Sequence, residues 1–481
     1  MAGPTRRQFL QTAAGAALAA GFSPRGAAAR AGAAADAAPR GVTVLSPRGR
    51  VPLSFVIDDS TCLVNLGRFA TPQFAEAWPG RKDYQKPWQS WPAEIPDAFV
   101  RSFGEWCAER GVRGKYSVVP YPACVGWLDR TLPGWSAQAL ADSLALVRDL
   151  MLPNWDVHPE MLTHTRVIDL KTGRPKPLTG PADMENWYPG RDAGVSTDEL
   201  AAYLAASLRV LKNCGLPCTG VTTPGGFGNG VEDRLAVAVR QAVGDVFGGE
   251  NEFGGADEPG GTVRHFFKYV RLGDDPVAAE VRDVQGLEAG APECVVTVPA
   301  ATGDWFGGWT GDDPLRDELY CNADATGGRM VELIERGDPA VMLCHWPGLY
   351  NHGAETGFAA FRRIVTALHE RFDDRVLWMK LSEIARHAAA KQFTTIARDG
   401  GDVLLDAPFA CPQFTLQIEA PADRLPPRLE RRGDGPAAVQ ELKEVADAAA
   451  LDQNTWRRTP EGTVVCFDLP AGRSAVRFGA G

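Results

Sequence analysis

Two adjacent acids, Asp58 and Asp59, close an apolar run that extends from Pro52 to Ile57. Such a run reads as a buried strand with both carboxylates at its C-terminal end. In barrels of alternating strands and helices, that end faces the active site. Neighbouring carboxylates repel each other, so a bound cation or one shared proton must offset them. A metal on one carboxylate, with the other free as a base, fits the rest of the chain best. A cation there also favours the ionised form of its neighbour. The competing reading is an Asp pair capping the turn Asp58-Asp59-Ser60-Thr61.

The chain has only seven histidines, so their placement carries information. His158 and His164 lie in Trp155-Asp-Val-His-Pro-Glu-Met-Leu-Thr-His164, at the end of a strand-like run. His345 ends another, Ala340-Val-Met-Leu-Cys-His345, and Asp304 follows a third in Thr302-Gly-Asp-Trp305. In a barrel these ends converge on one mouth. One carboxylate with two imidazoles makes an open site for zinc or a similar divalent ion. Asp304 can hold His345 protonated through a hydrogen bond. Trp305, Trp346 and Pro224, next to these groups, are expected to contact substrate.

The elements that would position these groups alternate from Val51 to about Lys391. The apolar runs are Leu53–Ile57, Lys115–Val119, Trp155–His158, Thr219–Thr223, Cys294–Val298, Ala340–His345 and Val376–Met379. Helix-like segments stand between them, and Ser196-Thr197-Asp198-Glu199 is a helix start with early acids. This alternation predicts an α/β fold, a distorted barrel of seven or eight strand–helix units. Long loops, Trp78 to Pro92 and Asn251 to Gly261, interrupt it and are placed to build or cover a site. After Lys391, short strand-like runs separated by turn residues predict a small C-terminal β-sandwich. The expected division is a leader over 1–38, a barrel over 45–390 and a sandwich over 391–481.

Composition narrows the function. The 481 residues carry a net charge of −10, which argues against a nucleic-acid-binding protein. No run after the leader is long and apolar enough for a stable membrane span. Thirteen tryptophans, several in polar loops, hint at carbohydrate held on aromatic faces, although packing explains most of them. Thr5-Arg6-Arg7-Gln8-Phe9-Leu10, ahead of a mildly apolar Ala-rich stretch, looks like a twin-arginine export signal. The expected partner is therefore the twin-arginine export machinery, and the expected location is periplasmic or secreted. Export permits disulfides, and Cys214 and Cys218 are close enough in sequence to bridge. Cys344, inside an apolar run, reads as a buried small hydrophobe.

These motifs, in this order, resemble the polysaccharide deacetylase family over about Val51 to Lys391. Ile57-Asp58-Asp59-Ser60 resembles its first motif, which implies Asp58 as general base and Asp59 as metal ligand. His158 and His164 resemble its ligand pair, Thr222-Thr223-Pro224-Gly225-Gly226 the Pro/Gly part of its third motif, Asp304-Trp305 its fourth, and Leu343-Cys344-His345 its fifth. The resemblance implies a divalent ion, zinc first, and deacetylation of a polysaccharide amide or ester, with His345 as acid. Two departures stand out. The histidines are six apart rather than four, so Glu160 with His164 is an alternative to the preferred His158 with His164. Thr223 also stands where the family has an Arg that pairs with the base. A non-catalytic carbohydrate-binding protein, and a metal-independent glycosidase using Asp58 with Glu160 or Asp304, are the other readings.

Overall fold

The apolar runs form parallel strands in a computed structural model that describes residues 39–190, 194–248, 261–268, 279–419, 426–432 and 438–479. The leader and nearly all of the 251–261 loop lie outside the described residues. In chain order the strands are β1 (Val42–Leu45), β2 (Val51–Asp58), β3 (Gly114–Val118), β4 (Trp155–Pro159), β5 (Ile168–Asp169), β6 (Arg174–Pro175), β7 (Gly220–Thr223), β8 (Thr262–Lys268), β9 (Glu280–Gln285), β10 (Glu293–Thr297), β11 (Ala340–His345) and β12 (Val376–Trp378). One parallel sheet has the order β11-β2-β3-β4, with β12 also on β2. A second has the order β7-β8-β10-β9, in which only β9 runs antiparallel. An isolated parallel bridge, Glu160 to Thr222, joins the two sheets at one edge. At the other edge no ladder joins β10 to β11 among the described residues; Ala301 N–H donates to the Val341 carbonyl at 2.8 Å instead. The result is a mixed α/β fold with two parallel-rich sheets and, among the described residues, no closed ring.

Strand alternation decides what each face does. Leu53, Phe55 and Ile57 of β2 pack against the helices, where Phe55 stacks on Phe361 at 4.3 Å between ring centroids. Val56 faces the other way, into an apolar cluster with Val296, Val341 and Leu343. Asp58 shares the parity of Val56 and so ends the inner row. The register sets His345 directly opposite Asp58 across the β2–β11 pair.

Helices Asp97–Glu109, Ala137–Leu146, Thr197–Asn213, Glu232–Phe247, Arg329–Arg336, Thr356–Phe372 and Leu381–Phe393 cover the outer side. The helix after Ser196 starts with a reciprocal cap: the Ser196 hydroxyl accepts from Glu199 N–H, and the Glu199 carboxylate accepts from Ser196 N–H. The helix Leu66–Ala77 was not evident in the sequence pattern. It follows the acid pair and turns Phe74 toward the site.

The C-terminal strands are β13 (Thr395–Asp399), β14 (Asp402–Ala407), β15 (Cys411–Ile418), β16 (Pro427–Arg432), β17 (Ala438–Glu441), β18 (Lys443–Glu444), β19 (Thr455–Thr459), β20 (Gly462–Leu469) and β21 (Gly472–Phe478). They form two five-stranded sheets, β1-β15-β20-β19-β18 and β13-β14-β21-β16-β17. Leu416, Val465 and Phe467 from the first share one apolar cluster with Leu405, Leu429 and Val476 from the second. β1 crosses over from the N-terminal side to pair with β15. All ten cysteines are free, so Cys214 and Cys218, close enough in sequence to bridge, do not. Burial holds the Cys344 thiol well above its ordinary range, in keeping with a packing role.

Candidate active site

Two of the site's residues sit in backbone conformations that L side chains rarely adopt. Asp59 has φ 61° and His164 has φ 63°. Such left-handed positions cost on the order of 1–3 kcal/mol each and persist only where the surroundings enforce them. Here each amide is held by a buried carboxylate. Asp59 N–H donates to Glu160 Oε2 at 2.7 Å, and His164 N–H donates to Glu185 Oε2 at 2.6 Å.

The two turns bring three side chains to one point. His164 Nε2 lies 2.7 Å from Asp59 Oδ1 and 3.4 Å from Glu160 Oε1. All three residues are buried. Asp59 Oδ1, for all its closeness to the imidazole, makes no hydrogen bond of acceptable geometry, and His164 Nδ1 has no partner. Glu160 is fixed from behind, since its Oε2 also accepts from Ser117 Oγ at 2.7 Å. Two carboxylates and an imidazole, buried and converging on one point, fit a divalent cation. Burial alone would lower the His164 pKa, but Asp59 and Glu160 outweigh it and hold the imidazole well above its ordinary value. Burial opposes ionisation of Glu160 too, yet His164 keeps its carboxyl low, at about 2.

The structure thus groups Glu160, and not the preferred His158, with Asp59 and His164. Along an extended chain Asp156, His158 and Glu160 share one face, each step advancing roughly 6.6 Å. Only Glu160 reaches the level of Asp59. His158 lies one step back, with Nε2 2.7 Å from His265 Nε2.

Beside this group stands an acid–base pair. Asp58 Oδ1 is paired with Lys115 Nζ, and the lysine also donates to the Ile57 carbonyl at 3.3 Å. Lys115 is fully buried in β3 and projects from the strand beside Asp58. A cation therefore does pair with Asp58, although Thr223 offers none. Burial pushes Asp58 up to about 7 despite the opposing pull of Lys115. In the metal-free protein desolvation outweighs the paired charge; the lowering expected from the sequence is the effect of an ion bound beside it.

Opposite, His345 Nδ1 lies 2.7 Å from Asp304 Oδ2, and 22% of the His345 side chain is exposed. Burial would lower the His345 pKa, but Asp59, Asp304 and Asp58 together raise it to about 10. Asp58 and His345 therefore meet across the strand pair as a carboxyl and an imidazolium.

The remaining expected contacts divide. Trp346 is fully buried between Phe99, Phe103 and Tyr116, so it cannot stack on a ligand. It follows His345 and alternates to the helix-facing side. Trp305 is half-buried, edge-on to Tyr320 at 4.5 Å, with its amide donating to the Tyr320 hydroxyl. Pro224 is buried at the start of the loop after β7, where its carbonyl accepts from Phe227 N–H at 2.9 Å. The aromatic face nearest the acids comes from elsewhere. Phe74 lies edge-on to His164 at 6.3 Å and contacts Trp78, Tyr84 and Trp309, while Trp187, 43% exposed, extends the group beyond Trp78.

Sequence reasoning also missed Glu185. Its buried carboxylate accepts from the amides of Leu162, Thr163 and His164 and from the Tyr203 hydroxyl. Burial raises it to about 7 even so. An isolated Glu in a Pro-rich stretch gives no hint of this. Lys115, opening an otherwise apolar strand, did break pattern and could have been found.

No protein-family model matches the chain, and no curated protein matches it. Among solved structures, a Mycobacterium smegmatis protein assigned as a polysaccharide deacetylase superposes with TM-score 0.37 at 14% identity, over 76% of this chain and 97% of that one. A Pseudomonas aeruginosa PAO1 protein with the same assignment superposes with TM-score 0.37 at 12% identity, over 71% of this chain and 91% of that one. Likeness at this level does not establish membership of a family, so the functional conclusion rests on the site's own geometry.

Proposed function

We propose that this chain is a metal-dependent hydrolase that removes acyl groups from carbohydrate, by amide or ester hydrolysis. The observation that carries the reading is the convergence of Asp59, Glu160 and His164 beside the facing pair Asp58 and His345. The aromatic group of Trp78, Tyr84, Trp187 and Trp309 supports a sugar as the body of the substrate, since sugar rings pack on aromatic faces. Trp305 and the Pro224 loop are kept as substrate contacts.

Asp59, Glu160 and His164 would hold the ion, zinc first. Bound there, it supplies Lewis acidity toward a carbonyl and lowers the pKa of a water. The protein's own groups do the rest. Asp58 accepts the proton of the attacking water, and the ion on its neighbour would favour the ionised form that this task needs. Lys115 keeps the charged carboxylate tolerable in a buried setting. His345, held as imidazolium by Asp304, gives a proton to the departing amine or alcohol. Lys115 supplies a cation beside Asp58, which weakens the part of the non-catalytic reading that rested on the missing Arg; the altered histidine spacing was its other support.

Two wider readings belong with this one. The parallel-rich sheets are read as the two halves of a distorted barrel, and the C-terminal sheets as a sandwich dispensable for the chemistry. The Arg6-Arg7 leader is read as a twin-arginine signal that delivers the folded protein to the periplasm or beyond. Changing both arginines to lysine should then retain the protein inside.

The decisive experiment incubates purified protein with acetylated oligosaccharides and measures free acetate. Acetate release that is lost in Asp58→Asn with metal content unchanged supports the reading. Release of reducing ends without acetate would favour a glycosidase. No turnover of any acylated sugar by metal-loaded protein would overturn it.

A further inference from the structure

A second set of metal-ligating groups lies behind the first, toward the N-terminal ends of the strands. Asp156 and His158 project from β4 and His265 from β8, and all three are buried. His158 Nε2 and His265 Nε2 face each other at 2.7 Å, and Asp156 Oδ2 is 3.5 Å from His265 Nε2. The three ligand atoms fall within 4.8 Å of one another.

The surroundings orient these atoms inward. The His158 ring hydrogen-bonds the Val221 carbonyl, and Thr222 Oγ1 is 3.3 Å from its Nδ1. The other ring nitrogen, Nε2, is the one that faces His265. Asp156 is steered by Ser382, which donates through its hydroxyl at 2.8 Å and its amide at 2.7 Å. Such outer contacts are typical of ligands held ready for an ion. Space is kept as well: a Cβ on Gly220 would sit 2.9 Å from His158 Nε2 and 2.2 Å from the His265 carbonyl.

We propose that Asp156, His158 and His265 form a second divalent-metal site, structural in role, that ties β4 to β8 across the gap between the two sheets. Two imidazoles and a carboxylate match zinc or cobalt. Tetrahedral coordination at Zn–N distances of 2.0–2.1 Å sets two nitrogens about 3.3 Å apart, so the histidines part by roughly 0.6 Å on binding. The Asp156–His265 spacing is already of that size. The site shares no residue with the proposed hydrolytic centre and stands or falls separately from it.

The test counts zinc in full-length protein dialysed against micromolar zinc. The parent should hold two equivalents, Asp59→Ala/Glu160→Gln one, and that variant with His265→Gln added none. X-ray absorption on the Asp59→Ala/Glu160→Gln protein should show two imidazoles and one oxygen around the remaining zinc. This readout does not depend on whether the His265→Gln protein folds. A metal-free Asp59→Ala/Glu160→Gln protein, or a remaining zinc without two imidazoles, overturns the proposal and leaves a hydrogen-bonded histidine pair. Two equivalents retained by that variant, with the two-imidazole signature present, would uphold the deep site and sink the upper one instead.

Discussion

Replacing Asp304 by Asn should lower the pKa of His345 while leaving the imidazole in place. The nearby carboxylates hold His345 up at about 10 from an ordinary 6.5. That difference, 10 minus 6.5, corresponds to roughly 5 kcal/mol net of burial at about 1.36 kcal/mol per unit. Asp59 and Asp58 share the work, so Asp304 supplies only part. A hydrogen bond to a charged partner contributes about 1.5–3 kcal/mol, or roughly 1–2 units. His345 in Asp304→Asn should therefore titrate at roughly 8–9 in metal-free protein. The direct assay is an NMR titration of the His345 ring, assigned by comparison with His345→Gln among only seven histidines. The sign for stability follows. A raised imidazole contributes stability that is fully present below pH 6.5 and is lost as pH rises through about 10. Asp304→Asn should accordingly cost stability at pH 6 and little at pH 10. In turnover, the basic limb of the pH–rate profile should move down by the same interval. A parental His345 titrating near 6.5, or an unchanged one in Asp304→Asn, refutes this account of the acid.

Three further outcomes follow from the same geometry. Glu160→Gln should abolish binding at the upper site as fully as Asp59→Ala, whereas His158→Ala should spare it; zinc counts on each variant decide between the two ligand sets. Binding of the upper ion should release about one proton near pH 7, because His164 is held protonated, and should weaken as pH falls; calorimetry in buffers of different ionisation enthalpy measures this, and no buffer dependence would contradict it. Glu185→Gln should lower upper-site affinity by roughly 10–100-fold, as expected for a group that orients a ligand, and Tyr203→Phe, which removes one of the donors on that carboxylate, should do so less; equal metal affinity in all three proteins would remove Glu185 from the site.

The sequence alone determined the strand ends and the titratable groups that sit on them. Apolar runs closing in Asp58-Asp59 and His345 became neighbouring parallel strands, because a continuous apolar run is stable only when covered on both faces. The Asp304–His345 pair was legible for a similar reason, since both follow such runs. Tertiary structure decided the grouping. His158 and Glu160 share a strand face, and local sequence cannot say which of two levels meets Asp59. That choice depends on how β4 and the left-handed turns at Asp59 and His164 stack across the sheet. Lys115 came to Asp58 by strand pairing, Glu185 to the His164 turn through a loop, and His265 to His158 through a strand with no apolar run to announce it. Each is a contact between residues far apart in the chain, set by burial and register, and such contacts leave no trace in local periodicity.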